Sequence, residues 1–235
     1  MKLAIHQPEF MPWMGFFNKM ALADEYVIFD HVQFKKRYFE NRNRIASPRG
    51  EIHYITTPVL NKGCIQPINM VKIDNSRDWK RKMMKSLMHN YSKAPYFKEY
   101  SDDLEQRISD RSYDTLLSLN MVLIDFFRHH LNIKTPMVYS SALDVSSAKG
   151  SDLILQICIR KNAGIYLCGS SGLDYIEQDE FKQHNVNIEW LDYQCPRYKQ
   201  MCDQFIPNLS TLDLLFNEGP RSESIIKQTI NTGYN

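Results

Sequence analysis

The first 30 residues constrain the fold most strongly, because they place two short apolar segments on either side of a helix-like segment. Residues 3–5 and 26–29 have the composition of buried strands. Residues 14–23 (MGFFNKMALA) have the composition of a helix that Asp24 ends. Two strands joined by one short crossover lie parallel, with a right-handed connection. This strand–loop–helix–strand unit is typical of an α/β sheet.

The same alternation of strands and helices returns after Pro136. Strands are predicted there at residues 137–139, 165–168 and 187–191, and helices at residues 152–162 and 174–184. Two further strands are predicted earlier in the chain, at residues 53–57 and 71–73.

Residues 75–135 interrupt this alternation with helical patterns alone. Helices are predicted at residues 79–90, 96–110 and 113–131. We therefore predict a single α/β domain over residues 1–235, built on an open, mostly parallel, Rossmann-like and doubly wound sheet. Residues 75–135 would form a helical insert or lid within that domain.

Composition is that of an ordinary globular protein, with 43% hydrophobic and 24% charged residues. A net charge of +2 gives no reason to expect a nucleic-acid partner, and no apolar run approaches the ~20 residues of a membrane span. The first residues do not form a secretory signal, and the odd number of cysteines favours a reducing, cytoplasmic location. The cysteines show neither a CxxC pair nor metal-ligand spacing: Cys64, Cys158, Cys168, Cys195 and Cys202.

Three loops follow predicted strands, at residues 6–15, 30–44 and 168–173. In an open parallel sheet, ligands bind outside the carboxyl ends of the strands. We therefore expect these loops to converge on one site, although they lie far apart in the sequence.

The first loop carries polar and aromatic side chains that a plain connection does not need. His6 titrates near neutrality and is the candidate base, with Gln7 beside it. Gly15 at the helix start lets an anion approach backbone N–H groups, and Lys19 can reach the same anion. Trp13 can stack on a nucleotide base or a sugar ring, and packing onto the core is the alternative.

The second loop follows a strand that ends near Asp30, and its basic part is predicted as a loop over residues 35–49. A carboxylate at a strand end is a common catalytic or ribose-binding group. The amide and cationic donors that follow it suit a carboxylate, a phosphate or a pyrophosphate, and a solvated basic face is the alternative. The candidate binding residues here are Gln33, Lys36, Asn41, Arg42, Asn43 and Arg44.

The third loop, at Gly169 and Ser170, offers backbone donors that can surround a phosphate or a sugar. Cys168 precedes it at the end of a predicted buried strand. That position favours an inert packing cysteine over a nucleophile.

Four segments of the chain closely resemble the WbqC-like family, in the same order and over nearly the whole chain. They are HQPEFMPWMGFFNKMALAD, FDHVQFKKRYFENRNRI, IYLCGSSGLDYI and YKQMCDQFIPNLSTLDLLFNEG. The resemblance includes the candidate residues of the first loop, Gly169, and Asp30, Gln33, Asn41, Arg42 and Asn43 of the second loop, but not Lys36 or Arg44. It adds Tyr198 and Gln200 as residues that would close the site from the C-terminal segment. By this resemblance, the family commonly has serine at the position of Cys168, which argues against a thiol nucleophile.

The resemblance implies a place in bacterial surface-polysaccharide biosynthesis, such as O-antigen, lipopolysaccharide or capsule synthesis. It also implies a transferase of aminoacyl or acyl groups. The arrangement of the first strand, loop and helix is similar to that of adenylate-forming nucleotidyltransferases, but the chain lacks their HxGH signature. ATP and acyl-CoA therefore both stay open as donors, and no metal motif is found.

We expect an enzyme that forms an amide on a nucleotide-linked sugar, as an aminoacyl- or acyltransferase or as an ATP-dependent ligase. It would join an acyl or amino-acid group from a donor to an amino sugar, or an amine to a sugar carboxylate. His6 would act as the base, Asp30 would orient His6 or the attacking amine, and Lys19 would hold an anion. Arg42 and Arg44 would hold phosphates or the oxyanion.

Two other functions fit the same residues. A non-catalytic module would bind a nucleotide-linked sugar or a glycan for an assembly complex, through the same basic loop. A glycosyltransferase would usually need a DxD-like metal site, and the acidic doublet nearest to that pattern, Asp102 and Asp103, lies in a predicted exposed helix.

Overall fold

The structure is a computed structural model that describes residues 1–60, 65–109, 112–145 and 148–228. Cys64, one of the five cysteines, lies outside these residues. The strands are β1 (Lys2–His6), β2 (Glu25–Ile28), β3 (Arg42–Ala46), β4 (Ile52–Thr56), β5 (Met137–Tyr139), β6 (Ile165–Gly169) and β7 (Asn187–Leu191). The helices are α1 (Met14–Leu22), α2 (Trp79–Tyr91), α3 (Phe97–Ser109), α4 (Leu116–His130), α5 (Gly150–Arg160), α6 (Gln178–Gln183), α7 (Thr211–Glu218) and α8 (Ser222–Lys227).

Five strands form one parallel sheet in the order β5-β2-β1-β6-β7. From β1 the chain moves outward through β2 to β5, and then returns to the other side of β1 with β6 and β7. This is the Rossmann-like, doubly wound order, and it confirms the predicted fold class. The direction of winding reverses between β1 and β6, so a crevice opens at the carboxyl ends of these two strands.

Successive side chains of each strand point to opposite faces of the sheet, and both faces are covered by helices. Ala4 packs in the cluster that also holds apolar residues of α1, α2, α3, α4, α7 and α8. Leu3 and Ile5 pack in the second cluster, with α5 and α6. The sheet therefore lies between two helical layers, and its central strands β1, β2 and β6 are largely buried on both sides.

The segment predicted as a helical insert or lid contains α2, α3 and α4. These helices share their apolar core with α1, as the 5.2 Å separation of the Phe17 and Phe127 ring centroids shows. Within the part of the chain that the structure describes, no helix is long and apolar enough to cross a bilayer.

Two predictions of local structure were wrong. Residues 42–46 are the strand β3, which pairs antiparallel with β4, and are not part of a basic loop. Their charged side chains concealed an alternation in which Asn43 and Ile45 are buried. Residues 71–73 form isolated bridges instead of a strand, because Lys72 pairs with Thr115 and Ile73 pairs with Val59.

Candidate functional site

A cavity of about 1240 Å³ lies at the reversal point of the sheet. All three predicted loops contribute to its wall. The candidate residues that line it are His6, Gln7, Trp13, Gly15, Lys19, Gln33, Arg44, Gly169 and Ser170. The candidate residues that are not part of its lining are Asp30, Lys36, Asn41, Arg42, Asn43, Tyr198 and Gln200.

His6 is placed by the end of β1, with 30% of its side chain exposed to the cavity side. Its Nδ1 lies 3.0 Å from the Gln7 carbonyl oxygen. A carbonyl only accepts hydrogen bonds, so Nδ1 carries the proton and Nε2 keeps its lone pair in the neutral ring. Burial, and then the charge of Lys19, lowers the pKa of His6 to about 4. The imidazole is therefore neutral at physiological pH and can accept a proton.

Glu9 is a second titratable group of the cavity wall that sequence reasoning missed. Its Oε1 lies 3.9 Å from His6 Nε2, and its Oε2 has no hydrogen-bond partner among the described residues. Burial, and then the charge of Glu40, raises the pKa of Glu9 to about 8. The carboxyl is therefore protonated at neutral pH. Its position between Pro8 and Phe10 in an apolar loop was the available signal.

Glu40 lies behind Glu9 and is 1% exposed. Burial raises its pKa to about 7, and the backbone N–H groups of Glu40 and Lys35 offset only part of that effect. The hydroxyl of Tyr26 is also buried and without a partner in the described structure, and burial followed by Glu9 raises its pKa well above the ordinary value. Burial thus keeps Glu9 and Tyr26 protonated at neutral pH, whereas Glu40, with a pKa of about 7, titrates there.

Lys19 reaches from α1 to the end of β1, where its Nζ donates a 2.9 Å hydrogen bond to the Ile5 carbonyl. The side chain is 8% exposed, and it lies 5.8 Å from the ring centroid of Tyr166 on β6. Burial lowers its pKa to about 8, while Cys168 and Cys158 oppose the shift. Lys19 therefore places a mostly protonated ammonium at the reversal point of the sheet.

Gly15 is explained by packing against Trp13. A Cβ at position 15 would overlap the indole ring of Trp13, so the space that the glycine leaves is filled by that ring. The indole also contacts Tyr193 edge to face, at 5.0 Å between centroids. Trp13 is thus both a wall of the cavity and part of a packed aromatic pair.

Asp30 connects the ends of two neighbouring strands. Its Oδ1 accepts hydrogen bonds from the Ser140 hydroxyl and the Ser141 backbone, both at 2.9 Å. Its Oδ2 accepts from the Ser141 hydroxyl at 2.6 Å and from Asn69 at 3.3 Å. These bonds attach the segment after β2 to the segment after β5. The Asp30 carboxylate is therefore directed at this junction. It is not directed at His6, which the sequence predicted it could orient.

Asn43 and Asn41 hold the backbone of the site in place. Asn43 donates to the Met11 carbonyl at 2.9 Å and to the Phe10 carbonyl at 3.3 Å, which joins β3 to the first loop. Met11 has a φ of 46°, in the region that non-glycine residues rarely adopt. Asn41 donates to the Thr57 carbonyl at 3.0 Å. Both amides are buried and support the loop that carries the site.

Tyr198 and Gln200 bind a buried carboxylate behind the site. The Tyr198 hydroxyl donates to Asp213 at 2.7 Å, and Gln200 donates to the same Oδ1 atom at 3.0 Å. Tyr91 donates to the other oxygen at 2.8 Å. The network anchors the C-terminal segment, whose Asn208 and Tyr193 do reach the cavity wall.

Cys168 is 1% exposed, and burial raises the pKa of its thiol. A Cβ on Gly172 would overlap its Sγ, so the thiol is enclosed by the loop that follows it. These surroundings are those of an inert packing cysteine. Across the described ranges, no group of three or more His, Cys, Asp and Glu side chains is placed to hold a metal ion.

The strand order and the lined crevice define a Rossmann-like α/β protein with a cavity at the reversal point of the sheet, where such folds bind their ligands. Within that class, residues 7–225 match the WbqC-like protein family, and the chain belongs to it. The chain is similar to the uncharacterized protein Rv1507c of Mycobacterium tuberculosis, with 33% identity over 228 residues. That match covers 96% of this chain and 97% of the mycobacterial protein. No solved structure matches the chain.

Proposed function

We propose that this protein is an enzyme of surface-polysaccharide biosynthesis that forms an amide on a nucleotide-linked sugar. It would transfer an aminoacyl or acyl group from an activated donor to an amine of the sugar. The observation that carries the proposal is the neutral His6, whose Nε2 lone pair is available at the strand end that lines the cavity.

The size of the cavity supports a large substrate. Cavities for drug-sized ligands typically measure about 300–1,000 Å³. At about 1240 Å³, this cavity has room for a sugar nucleotide together with a second reactant. Its wall combines the cations Lys19, Lys35 and Arg44 with the aromatic side chains Trp13 and Tyr193, which suits phosphates and rings.

Acyl transfer to an amine needs a proton acceptor and a positive group near the developing oxyanion. The amine nitrogen attacks the acyl carbon, a C–N bond forms, and the bond from that carbon to the leaving group breaks. The proton of the amine passes to His6 Nε2 and then to the leaving group. Lys19 has three N–H donors, of which Ile5 accepts one, and its charge would stabilise the oxyanion. Glu9, protonated beside Nε2, is the second proton carrier at this end of the cavity.

The direct test is to incubate the purified protein with a nucleotide-linked amino sugar and each candidate donor, and to follow product mass. The donors are acyl-CoA, and ATP with an amino acid. A mass gain that matches one acyl or aminoacyl group on the sugar is expected. No mass gain with any donor would overturn the proposal.

The His6→Ala variant is expected to lose turnover by about 10²–10⁴-fold because it removes the general base. His89→Ala is the matched control, since His89 is exposed on α2 and is not part of the cavity wall. Equal turnover in both variants would show that His6 is not the general base. Sugar-nucleotide binding without turnover in the wild-type protein would identify the binding module instead.

A further inference from the structure

We infer that a second, smaller pocket beside the main cavity binds the diphosphate and base of a nucleoside diphosphate. This pocket, the arginine pocket, is formed by Arg37, Tyr38, Phe39, Arg42, Arg44 and Tyr54. The inference deepens the proposed function and rests on it for the assignment of the sugar end to the main cavity.

The first observation is uncompensated charge. Among the described residues, none of the three arginines of the pocket forms an ion pair with a carboxylate. Five other described arginines, Arg77, Arg81, Arg107, Arg128 and Arg221, each pair with a nearby Asp or Glu. Three more of the described arginines, Arg49, Arg160 and Arg197, form no ion pair with a described residue either but do not line the arginine pocket, so what distinguishes this pocket is that three unpaired guanidinium groups lie together. Three guanidinium groups on one small surface repel each other, and a polyvalent anion removes that repulsion.

The second observation is the fixed geometry of Arg42 and Arg44. They are two residues apart on β3 and so project from the same face of the hairpin, while Asn43 and Ile45 project into the protein. Tyr54 pairs directly with Arg44 across the hairpin, and the Arg42 guanidinium lies 4.4 Å from the Tyr54 ring centroid. The hairpin therefore holds both guanidinium groups on one side.

One hydrogen-bond donor of Arg44, its Nε, has no acceptor among the described residues. One of its terminal nitrogens donates to the Asn208 carbonyl at 2.8 Å, but its buried Nε has no partner in the described part of the structure. A buried donor without an acceptor is costly. Because this Nε is enclosed, a bound anion is expected to contact the terminal nitrogens of Arg44. Arg44 also lines the main cavity, so it is a wall that the two spaces share.

The aromatic side chains define the rest of the ligand. Tyr38 is 47% exposed and Tyr54 is 54% exposed, although cations lie over both rings, Lys35 over Tyr38 and Arg42 over Tyr54. Guanidinium forks bind phosphate oxygens in pairs, and aromatic rings stack on nucleotide bases. The pocket volume of about 290 Å³ is close to the lower end for small-ligand sites. A nucleoside diphosphate combines both features.

The arginine pocket is continuous with the main cavity, and this fixes how a bound nucleotide-linked sugar would be oriented. Tyr38, Phe39 and Arg44 line both spaces. A group attached to the terminal phosphate would therefore extend from the arginine pocket into the main cavity, which His6 lines.

The test is calorimetric titration of UDP, ADP and inorganic pyrophosphate into the full-length protein without any acyl donor. Wild-type protein is expected to bind the nucleotides, and Arg42→Gln and Arg44→Gln are each expected to raise Kd by about 10- to 100-fold. Tyr54→Ala is expected to weaken the binding of the nucleotides more than the binding of pyrophosphate. Arg49→Gln is the matched control, because Arg49 is exposed near the same hairpin but lies outside both cavities.

Kd values within twofold of the wild type in both Arg42→Gln and Arg44→Gln, at unchanged melting temperature, would overturn the inference. So would the absence of binding by all three probes at millimolar concentration. Because no acyl donor is present, a failed amide assay does not affect this result. Amide formation that both variants retain at unchanged KM would overturn the inference and leave the proposed function standing.

Discussion

His6 and Glu9 lie at the same end of the cavity, and their pKa values are displaced in opposite directions. Burial keeps His6 neutral and Glu9 protonated at neutral pH, so Nε2 of His6 is a proton acceptor and the Glu9 carboxyl is a proton donor there. The candidate base could be read from the sequence, because a histidine after an apolar run is conspicuous. The raised pKa of Glu9 could not be read from the sequence, because it depends on burial beside Glu40, which only the folded chain brings near.

The buried carboxyl of Glu40 predicts a pH dependence of stability. Its pKa is raised to about 7, so the folded state favours the protonated form. The stability it contributes is fully present below the ordinary pKa of about 4.5 and is lost as the pH rises through 7. We expect Glu40→Gln to reduce the loss of unfolding free energy between pH 5 and pH 9 by about 2–3 kcal/mol. Urea denaturation at the two pH values measures it.

Glu51→Gln serves as the control for this pH series, since the Glu51 side chain is 67% exposed. An identical dependence of unfolding free energy on pH in Glu40→Gln and wild-type protein would contradict the raised pKa of Glu40.

His6 affects stability at acidic pH. Its lowered pKa contributes stability above about 6.5, which is lost as the pH falls through about 4.

The contact between Gly15 and Trp13 predicts a destabilising substitution. Gly15→Ala would force the indole aside, and we expect a loss of about 1–3 kcal/mol in unfolding free energy. Gly164→Ala is the control, since a Cβ there meets no atom within 4 Å. Comparable denaturation midpoints for the two variants would mean that Trp13 moves without cost.

At the scale of secondary structure, the elements with clear periodicity could be predicted and β3 could not. The apolar runs of β1, β2 and β6 and the helical spacing of α4 agree with the structure. The sequence RNRIA is mostly charged and amide side chains, so its alternation is visible only once Asn43 is known to be buried. A buried asparagine that hydrogen-bonds backbone groups cannot be distinguished from a surface asparagine in a single sequence.

The link between β3 and the first loop predicts the effect of removing it. Asn43→Ala would leave the Phe10 and Met11 carbonyls without their donor, and we expect a loss of about 1–3 kcal/mol in stability. Hydrogen exchange of the backbone amides near residues 9–16 should also accelerate. Asn187→Ala, at an exposed position at the start of β7, should change neither quantity. An unaltered exchange pattern in Asn43→Ala would show that the loop holds its shape unaided.

At the scale of the whole molecule, the topology of the sheet predicted where a cavity forms, and it did not predict which side chains line that cavity. The rule that ligands bind beyond the carboxyl ends of parallel strands brought three distant loops together, and the structure places all three around one cavity. It did not tell which side chains of those loops face inward. Asp30, Asn41 and Asn43 are directed to backbone and serine partners instead, because those partners come from segments whose positions depend on tertiary packing.

The two-stranded hairpin β3–β4 forms a sheet of its own, separate from the five-stranded sheet that carries His6 and Lys19's anchor at Ile5. Its outward side chains can therefore vary without disturbing the strands beneath the histidine. If the arginine pocket binds a nucleotide as inferred, substitutions at Arg42 and Tyr54 are expected to change which nucleotide is preferred. Any exchange of the hairpin between relatives would have to keep Asn43, because it holds the first loop.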